Sequence, residues 1–179
     1  MAYRKGFVMK KLVIVHGPMG VGKTAVCRAL AKELQPSVWL DGDWCWQMQP
    51  FDPNEENREM VVKHIIYLLN SFLNNRNFSY VLFSWVVPED KIFQKILPFL
   101  ALSDVEVHKI ALLCTPDALT QRLQSDIDRG LRDADVLTRS LQMLPGFART
   151  ASFQMNTTGL TPAQTARRIA ALVKSGRLA

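Results

Sequence analysis

Short apolar runs alternate with longer amphipathic stretches along most of this chain. Two of the apolar runs, residues 12–16 (LVIVH) and 80–87 (YVLFSWVV), are almost continuously hydrophobic. Such runs are typical of strands that helices cover on both faces of a sheet. With three shorter runs added, the sequence predicts five strands, at residues 12–16, 38–41, 80–87, 107–114 and 153–157.

The stretches between these strands carry helix signals. Residues 23–35 place apolar side chains on one helical face, namely Val26, Cys27, Leu30 and Leu34. At a second start, Asp52 is the expected N-cap, with Pro53 at the first helical position and Glu55 at the third. Capping chemistry predicts two more starts, at Thr115-Pro116 and at Thr161-Pro162-Ala163-Gln164.

Strands separated by helices indicate βαβ units and therefore an α/β fold with a five-stranded parallel sheet. The 179 residues suit a single domain, with residues 1–8 expected to be a disordered extension. Residues 125–140 interrupt the alternation, because they are polar and contain four acidic residues, three arginines and a glycine. They predict either a solvated pair of helices or a mobile lid.

Composition narrows the function classes. No apolar run is long enough for a transmembrane helix, so no membrane partner is expected. The net charge is +6, but the basic residues are scattered, so the charge pattern does not favour nucleic acid as a partner. The three cysteines are widely spaced and unpaired in pattern, which predicts neither disulfides nor a zinc site and indicates a cytoplasmic protein.

The strongest chemical signal is a phosphate-binding loop. Residues 17–24 (GPMGVGKT) match G-x-x-x-x-G-K-[ST], between an apolar strand and an amphipathic helix. Glycines let backbone N–H groups turn inward around phosphates at a helix N-terminus. Lys23 would place a positive charge on the β- and γ-phosphates, and the Thr24 hydroxyl would bind Mg²⁺. The predicted nucleotide-binding residues of the loop are Gly17, Met19, Gly20, Val21, Gly22, Lys23 and Thr24.

Two classes of nucleotide hydrolase are disfavoured. The chain has neither the N-K-x-D nor the D-x-x-G string of a GTPase. A motor or AAA-type ATPase usually ends a later apolar strand in Asp-Glu, whereas here the corresponding strands end in residues 83–85 (FSW) and 113–115 (LCT).

The second predicted strand ends in Asp41-Gly42-Asp43, which is either a simple turn or a pair of carboxylates at the ligand edge of the sheet. Beside a phosphate loop, this pattern resembles the phosphate-loop small-molecule kinases: shikimate and gluconate kinases, chloramphenicol phosphotransferase and tunicamycin-resistance-type ATP-binding proteins. The resemblance implies a three-layer α/β/α fold with a helical lid at residues 125–140, and ATP with Mg²⁺ as cofactors. It also implies that Asp41 lies near Mg²⁺, while Asp43 holds the acceptor hydroxyl and takes its proton.

The resemblance assigns three arginines as well. Arg122 follows the fourth strand where these kinases carry an arginine that packs on or near adenine. Arg129 and Arg132 lie in the expected lid, where such arginines reach the transferring phosphate. Their spacing differs from the usual R-x-x-x-R, so the sequence leaves open which of them does so, and each is alternatively a solvated surface charge.

The acceptor pocket is expected between the ends of the second and third strands, lined by Trp44, Trp46, Ser84 and Trp85. No basic residue lies between Asp43 and Arg58, so an uncharged acceptor fits better than an anionic one.

We therefore expect an ATP-dependent phosphotransferase that acts on a hydroxyl of a small, uncharged molecule, as a monomer or homodimer. Two alternatives stay open at this point. One is a non-catalytic ATP-binding protein that sequesters a small apolar compound, and the other is a nucleoside or RNA-end kinase.

Overall fold

All five predicted apolar runs form strands, and the amphipathic stretches between them form helices. The structure, a computed structural model, describes residues 9–177, so the predicted extension at residues 1–8 lies outside the described residues. The strands are β1 (Lys10–His16), β2 (Ser37–Asp41), β3 (Tyr80–Trp85), β4 (Val105–Leu113) and β5 (Phe153–Asn156). The helices are α1 (Lys23–Glu33), α2 (Glu55–Asn74), α3 (Asp90–Gln94), α4 (Pro116–Asp128), α5 (Asp135–Phe147) and α6 (Pro162–Ser175).

The strands form one parallel sheet in the order β2-β3-β1-β4-β5, which confirms the predicted fold class. The register aligns the carboxyl ends of the first three strands. His16 at the end of β1 lies opposite Trp85 of β3, and Asp41 at the end of β2 lies opposite Ser84. Residues that follow these strands therefore meet at one edge of the sheet.

Helices cover both faces of the sheet and complete three layers. Val13 and Val15 of β1 point into a core formed with α1 and α6. Leu12 and Ile14, their alternating neighbours, point into a second core formed mainly with α2. Double coverage explains why β1 is apolar at every position between Leu12 and Val15.

Helix capping follows the sequence at two of the three predicted starts. Thr115 and Thr161 cap α4 and α6, and Thr161 with Gln164 forms the predicted capping box. The prediction of Asp52 as the N-cap of α2 is wrong by two residues. Asn54 caps the helix by accepting a 2.9 Å hydrogen bond from the Asn57 N–H, while Asp52 accepts one from the Asn54 side chain.

The polar segment at residues 125–140 is a pair of helices joined by a turn. It comprises the end of α4, the turn at residues 129–134 and the start of α5. In residues 9–177, no helix combines the length and the apolar character needed to cross a bilayer.

Candidate active site

The phosphate loop connects the buried end of β1 to α1 in a conformation that needs glycine. Gly17 has φ +154°, and a Cβ there would lie 2.7 Å from the Leu112 carbonyl oxygen. Gly22, the N-cap of α1, is left-handed at φ 104° and offers no side chain to cap the helix. The first N–H groups of α1 are therefore free of a side-chain cap, and they face the loop as an anion-binding helix N-terminus does.

Lys23 is buried inside this loop, with 8% of its surface exposed. Its Nζ donates two 3.0 Å hydrogen bonds, to the carbonyl oxygens of Gly17 and Pro18. Burial lowers the pKa of Lys23 to about 8, and Asp43 and Asp41 partly oppose the change. Within residues 9–177 the ammonium forms no ion pair with a carboxylate, so a bound phosphate would stabilise its charge.

Thr24 and Asp41 form the link between α1 and β2. Thr24 Oγ1 donates a 3.0 Å hydrogen bond to Asp41 Oδ2, and the Asp43 N–H donates to Asp41 Oδ1 over 3.2 Å. Asp41 is 4% exposed, so this arrangement is fixed at the ligand edge of the sheet.

These two residues fit magnesium as the resemblance implied. A hydroxyl and a carboxylate are the hard oxygen donors that Mg²⁺ prefers, and it commonly binds one or two carboxylates together with substrate phosphates. Because Thr24 donates its hydroxyl proton in the hydrogen bond to Asp41, the lone pairs of Thr24 Oγ1 stay free to bind a cation. Within the described part of the chain, no three His, Cys, Asp or Glu side chains cluster as an all-protein metal cage would require.

Asp43 stands at the mouth of the site, two residues beyond Asp41. Withdrawal from water raises the pKa of Asp43, and the Asp41 carboxylate raises it further. Lys23, Arg132 and the Trp85 side chain act in the opposite direction. Asp43 therefore lies within electrostatic reach of both basic residues. Asp43 keeps contact with solvent, but its carboxylate is partly withdrawn from water and belongs to the same charged cluster as the phosphate loop.

Gly42 allows this geometry, because a Cβ at this position would lie 2.6 Å from the Trp85 ring. The indole thus packs directly against the backbone between the two aspartates. Trp85 is half-buried beside Asp43, and its role in lining the acceptor side stays a prediction.

Arg122 joins the phosphate loop to the loop after β5. It donates from Nη1 to the Val21 carbonyl and the Thr157 hydroxyl, both over 3.1 Å, and from Nη2 to the Thr157 carbonyl over 2.8 Å. These bonds hold the backbone on which a nucleotide would rest. The expected contact of Arg122 with adenine stays a prediction.

The two arginines of the expected lid differ in their surroundings. Arg132 lowers the pKa of both Lys23 and Asp43, so its positive charge lies near the phosphate loop. Its Nε also donates a 3.0 Å hydrogen bond to Asp126 Oδ2. Arg129 is exposed at the end of α4, and its side chain forms no hydrogen bond or ion pair within residues 9–177. The contact of either arginine with the phosphates stays a prediction.

Trp44, Trp46 and Ser84, three of the residues predicted to line the acceptor pocket, differ in their surroundings. Trp44 is 51% exposed and packs on Trp39, with 5.0 Å between ring centroids. Trp46 packs on Phe51 at 5.7 Å and lies against the α2 core, so it is partly structural. The expectation that Ser84 lines the pocket is wrong, because Ser84 is fully buried and accepts a 3.0 Å hydrogen bond from Trp39 Nε1.

A pocket of about 430 Å³ lies between Trp44 and α2. Its lining is mainly apolar and sulfur-rich, consisting of Trp44, Cys45, Gln47, Met48, Met60, His64, Tyr67 and Leu68. Trp44 and Cys45 directly follow Asp43 in a 3₁₀ helix, Gly42–Trp46, so the pocket borders the acceptor side of the site. Only Trp44 among the predicted acceptor residues lines it.

A larger groove of about 1290 Å³ runs along the other flank of α2, against α3 and Phe99. No phosphate-loop residue lines it. Arg58, the first basic residue after Asp43, lies in this groove and donates from Nε to the Pro53 carbonyl over 2.6 Å.

Comparison with known proteins places the chain in a family. A sequence profile of the family described as "AAA domain" matches residues 13–136, more than half of the chain. The family carries the AAA name, whereas the class that the sequence disfavours is the motor or AAA-type ATPase with Asp-Glu at the end of a later strand. Neither of the later strands ends in Asp-Glu, since β3 ends in Trp85 and β4 in Leu113. The carboxylate beside Thr24 is instead Asp41 of β2. No protein of curated function matches the sequence.

Solved structures identify the fold. The tunicamycin resistance protein of Deinococcus radiodurans has a TM-score of 0.66 and 17% identity, over 92% of this chain and 96% of that one. A sugar kinase from Janibacter sp. HTCC2649 has a TM-score of 0.67 and 13% identity, over 92% and 95%. Shikimate kinase from Acinetobacter baumannii, solved with shikimate, has a TM-score of 0.61 and 20% identity, over 98% and 99%. The chain thus belongs to the AAA-domain family and has the fold of the phosphate-loop small-molecule kinases.

Proposed function

We propose that this protein transfers the γ-phosphoryl group of ATP to a hydroxyl of a small, uncharged molecule in the cytoplasm. The observation that carries the proposal is the meeting of Lys23, Asp43 and Arg132 within electrostatic reach of one another beside the phosphate loop. Phosphoryl transfer depends on positioning and charge stabilisation, and this cluster supplies both signs of charge where they are needed.

The donor side holds the triphosphate. Backbone N–H groups of the loop and of the α1 N-terminus would surround the phosphates, while Lys23 would place its charge on the β- and γ-phosphates. Thr24 and Asp41 would hold Mg²⁺, which when bound neutralises charge on the phosphate oxygens. Arg132 would lie on the γ-phosphate, where negative charge must be stabilised during transfer.

The acceptor side receives the hydroxyl proton. Asp43 would accept this proton as the acceptor oxygen forms its bond to phosphorus and the bond from phosphorus to the ADP oxygen breaks. The raised pKa of Asp43 makes the carboxylate a better base than an ordinary aspartate. Trp85, packed on Gly42, would form one wall beside the reacting oxygen.

The chemistry of the neighbouring pocket supports an uncharged acceptor. The 430 Å³ lining contains no lysine, arginine or carboxylate, and its methionines and aromatic rings suit an apolar body. Arg58, the first basic residue after Asp43 in the sequence, has its Nε bonded to a carbonyl and lines the groove on the other flank of α2, as does Lys63. Among the side chains of this lining, His64 alone could carry a positive charge, and the pocket holds no lysine or arginine to neutralise a carboxylate or phosphate on the acceptor.

A coupled assay tests this proposal. ADP release would be measured with ATP and Mg²⁺ across uncharged alcohols and their carboxylated or phosphorylated counterparts, with Asp43→Asn as the matched variant. We expect at least one uncharged alcohol to accelerate ADP release in the wild type but not in Asp43→Asn. If ATP binds and no hydroxyl compound accelerates its consumption, the protein only sequesters its ligand and the proposal fails.

A further inference from the structure

The turn between α4 and α5 has a defined geometry. Gly130 adopts a left-handed φ of +67°, the Leu131 N–H donates to the Asp126 carbonyl over 2.9 Å, and the Gly130 N–H donates to the Ile127 carbonyl over 2.8 Å. This pair of bonds is the Schellman motif that ends many helices. It reverses the chain after α4 and brings residue 132 back beside the last turn of the helix.

The reversal brings Arg132 to Asp126. Arg132 Nε donates to Asp126 Oδ2 over 3.0 Å, and both side chains are about one-third exposed, at 37% and 30%. A guanidinium has five N–H groups, of which this contact uses only the one on Nε. The four N–H groups on the terminal nitrogens have no hydrogen-bond partner among the residues that the structure describes.

The positive charge of Arg132 lies near the phosphate loop and Asp43. Arg132 is close enough to Lys23 and Asp43 to lower the pKa of both. Two terminal nitrogens side by side match the oxygens of a phosphoryl group in a bidentate contact. A free arginine side chain has many rotamers, and fixing one of them before the reaction reduces the entropy lost on binding.

We propose that Asp126 is a positioning residue, which holds Arg132 by Nε so that its terminal nitrogens meet the transferring phosphoryl group. The inference rests on the proposed function for the identity of that group. It assigns the transition-state contact to Arg132 and not to Arg129, and it adds a residue for which the sequence pattern gave no role. Asp126 itself touches neither nucleotide nor acceptor.

Affinity for a mimic of the transferring phosphoryl group tests this role without any acceptor. Binding of Mg²⁺–ADP with aluminium fluoride would be compared with binding of Mg²⁺–ADP alone, for Asp126→Ala, Asp126→Asn, Arg132→Ala and the double variant Asp126→Ala/Arg132→Ala. Asp128→Ala is the matched control, because Asp128 lies on the same helix and, within residues 9–177, accepts a side-chain hydrogen bond from Gln124 and none from Arg132.

We expect Arg132→Ala to weaken the aluminium fluoride complex by about 10- to 100-fold, the range of a charge-assisted hydrogen bond, with ADP affinity unchanged. Asp126→Ala should weaken it by a smaller factor, and Asp126→Asn should restore most of the loss because its amide oxygen still accepts from Nε. In the Arg132→Ala background, Asp126→Ala should have no further effect.

Two results would overturn the inference: equal losses for the ADP and aluminium fluoride complexes in Asp126→Ala, or additive losses in the double variant. The Schellman bonds use the main-chain carbonyl of Asp126, so the variants keep the turn, and melting temperatures would verify this. Because no acceptor or turnover is involved, a negative result here is separate from failure of the proposed phosphotransfer.

Discussion

Thr24 Oγ1 donates a 3.0 Å hydrogen bond to Asp41 Oδ2, joining the first turn of α1 to the end of β2. The two residues are 17 positions apart in sequence. They meet because β2 and β3 are in register at Asp41 and Ser84, which places the end of β2 at the edge where the phosphate loop begins. This contact distinguishes Asp41, held beside the expected cation, from Asp43, which is free to face an acceptor.

Removing the loop lysine should abolish nucleotide binding. At a ligand concentration 100 times Kd, binding stabilises a protein by about 2.7 kcal/mol, so Mg²⁺–ATP should raise the melting temperature of the wild type by several degrees. Lys23→Ala should lose most of this increase, whereas Lys63→Ala, exposed on α2, should keep it. Equal increases for wild type and Lys23→Ala would contradict the assignment of the loop.

The two aspartates should have separable effects. Asp41→Asn should weaken Mg²⁺-dependent nucleotide binding, since a neutral amide is a poorer ligand for the cation. Asp43→Asn should leave ATP affinity nearly unchanged and lower kcat with an identified acceptor by about 10²- to 10⁴-fold, the contribution of a general base. Titrations of Mg²⁺–ATP and steady-state kinetics would separate these effects. If Asp43→Asn keeps wild-type turnover, Asp43 is not the base, and Asp41-Gly42-Asp43 is a structural turn.

Nucleotide binding should take up a proton at alkaline pH. The pKa of Lys23 in the free protein is about 8, so at pH 9 its amine is mostly neutral. Bound phosphates would raise the pKa again, because they stabilise the ammonium, and binding at pH 9 should therefore take up roughly one proton. Calorimetry in two buffers of different ionisation enthalpy measures this number.

The same measurement at pH 7 should show little uptake at this position, since Lys23 is then charged in both states. Lys23→Arg is the control, because its guanidinium stays protonated at pH 9. The linkage also has a consequence for folding. Because the unfolded chain holds this proton up to about pH 10.5, the contribution of Lys23 to stability should rise between pH 8 and 10.5.

The helix pair at residues 125–140 should respond to nucleotide. If it closes over the phosphates and excludes water, as a kinase requires to avoid hydrolysing ATP, amide hydrogen exchange there should slow with a non-hydrolysable ATP analogue. Helix α6 carries none of the predicted site residues and serves as the internal reference. Unchanged exchange at residues 125–140 would identify them as a surface helix pair without a lid function.

The features that could be predicted from the sequence are those that depend on local patterns of residues. Strand positions, the parallel sheet, the phosphate loop and the caps at Thr115 and Thr161 all follow from periodicity and short motifs. The cap of α2 was misassigned because Asp52 and Asn54 have equivalent capping chemistry, and the choice between them depends on where the preceding loop ends.

Hydrophobic periodicity and short motifs do not predict side-chain contacts between distant parts of the chain. Ser84 points into the core because alternation along β3 turns it away from Trp85, and a strand end alone does not show which of two adjacent residues faces the ligand. The Schellman turn at Gly130 is what distinguishes Arg132 from Arg129, because it brings Arg132 back beside α4. A glycine shortly after an amphipathic helix is a sequence signal for that turn. From Gly130, a contact between Arg132 and Asp126 could therefore have been predicted.

Transfer of labelled phosphate tests the central claim most directly. The protein would be incubated with γ-labelled ATP, Mg²⁺ and an extract of small uncharged metabolites, and the products separated from ATP and free phosphate. We predict a labelled phosphate ester that forms with wild type and Asp128→Ala and is absent with Lys23→Ala and Asp43→Asn. Label that remains in ATP, or appears only as inorganic phosphate while the nucleotide is bound, would contradict a phosphotransferase.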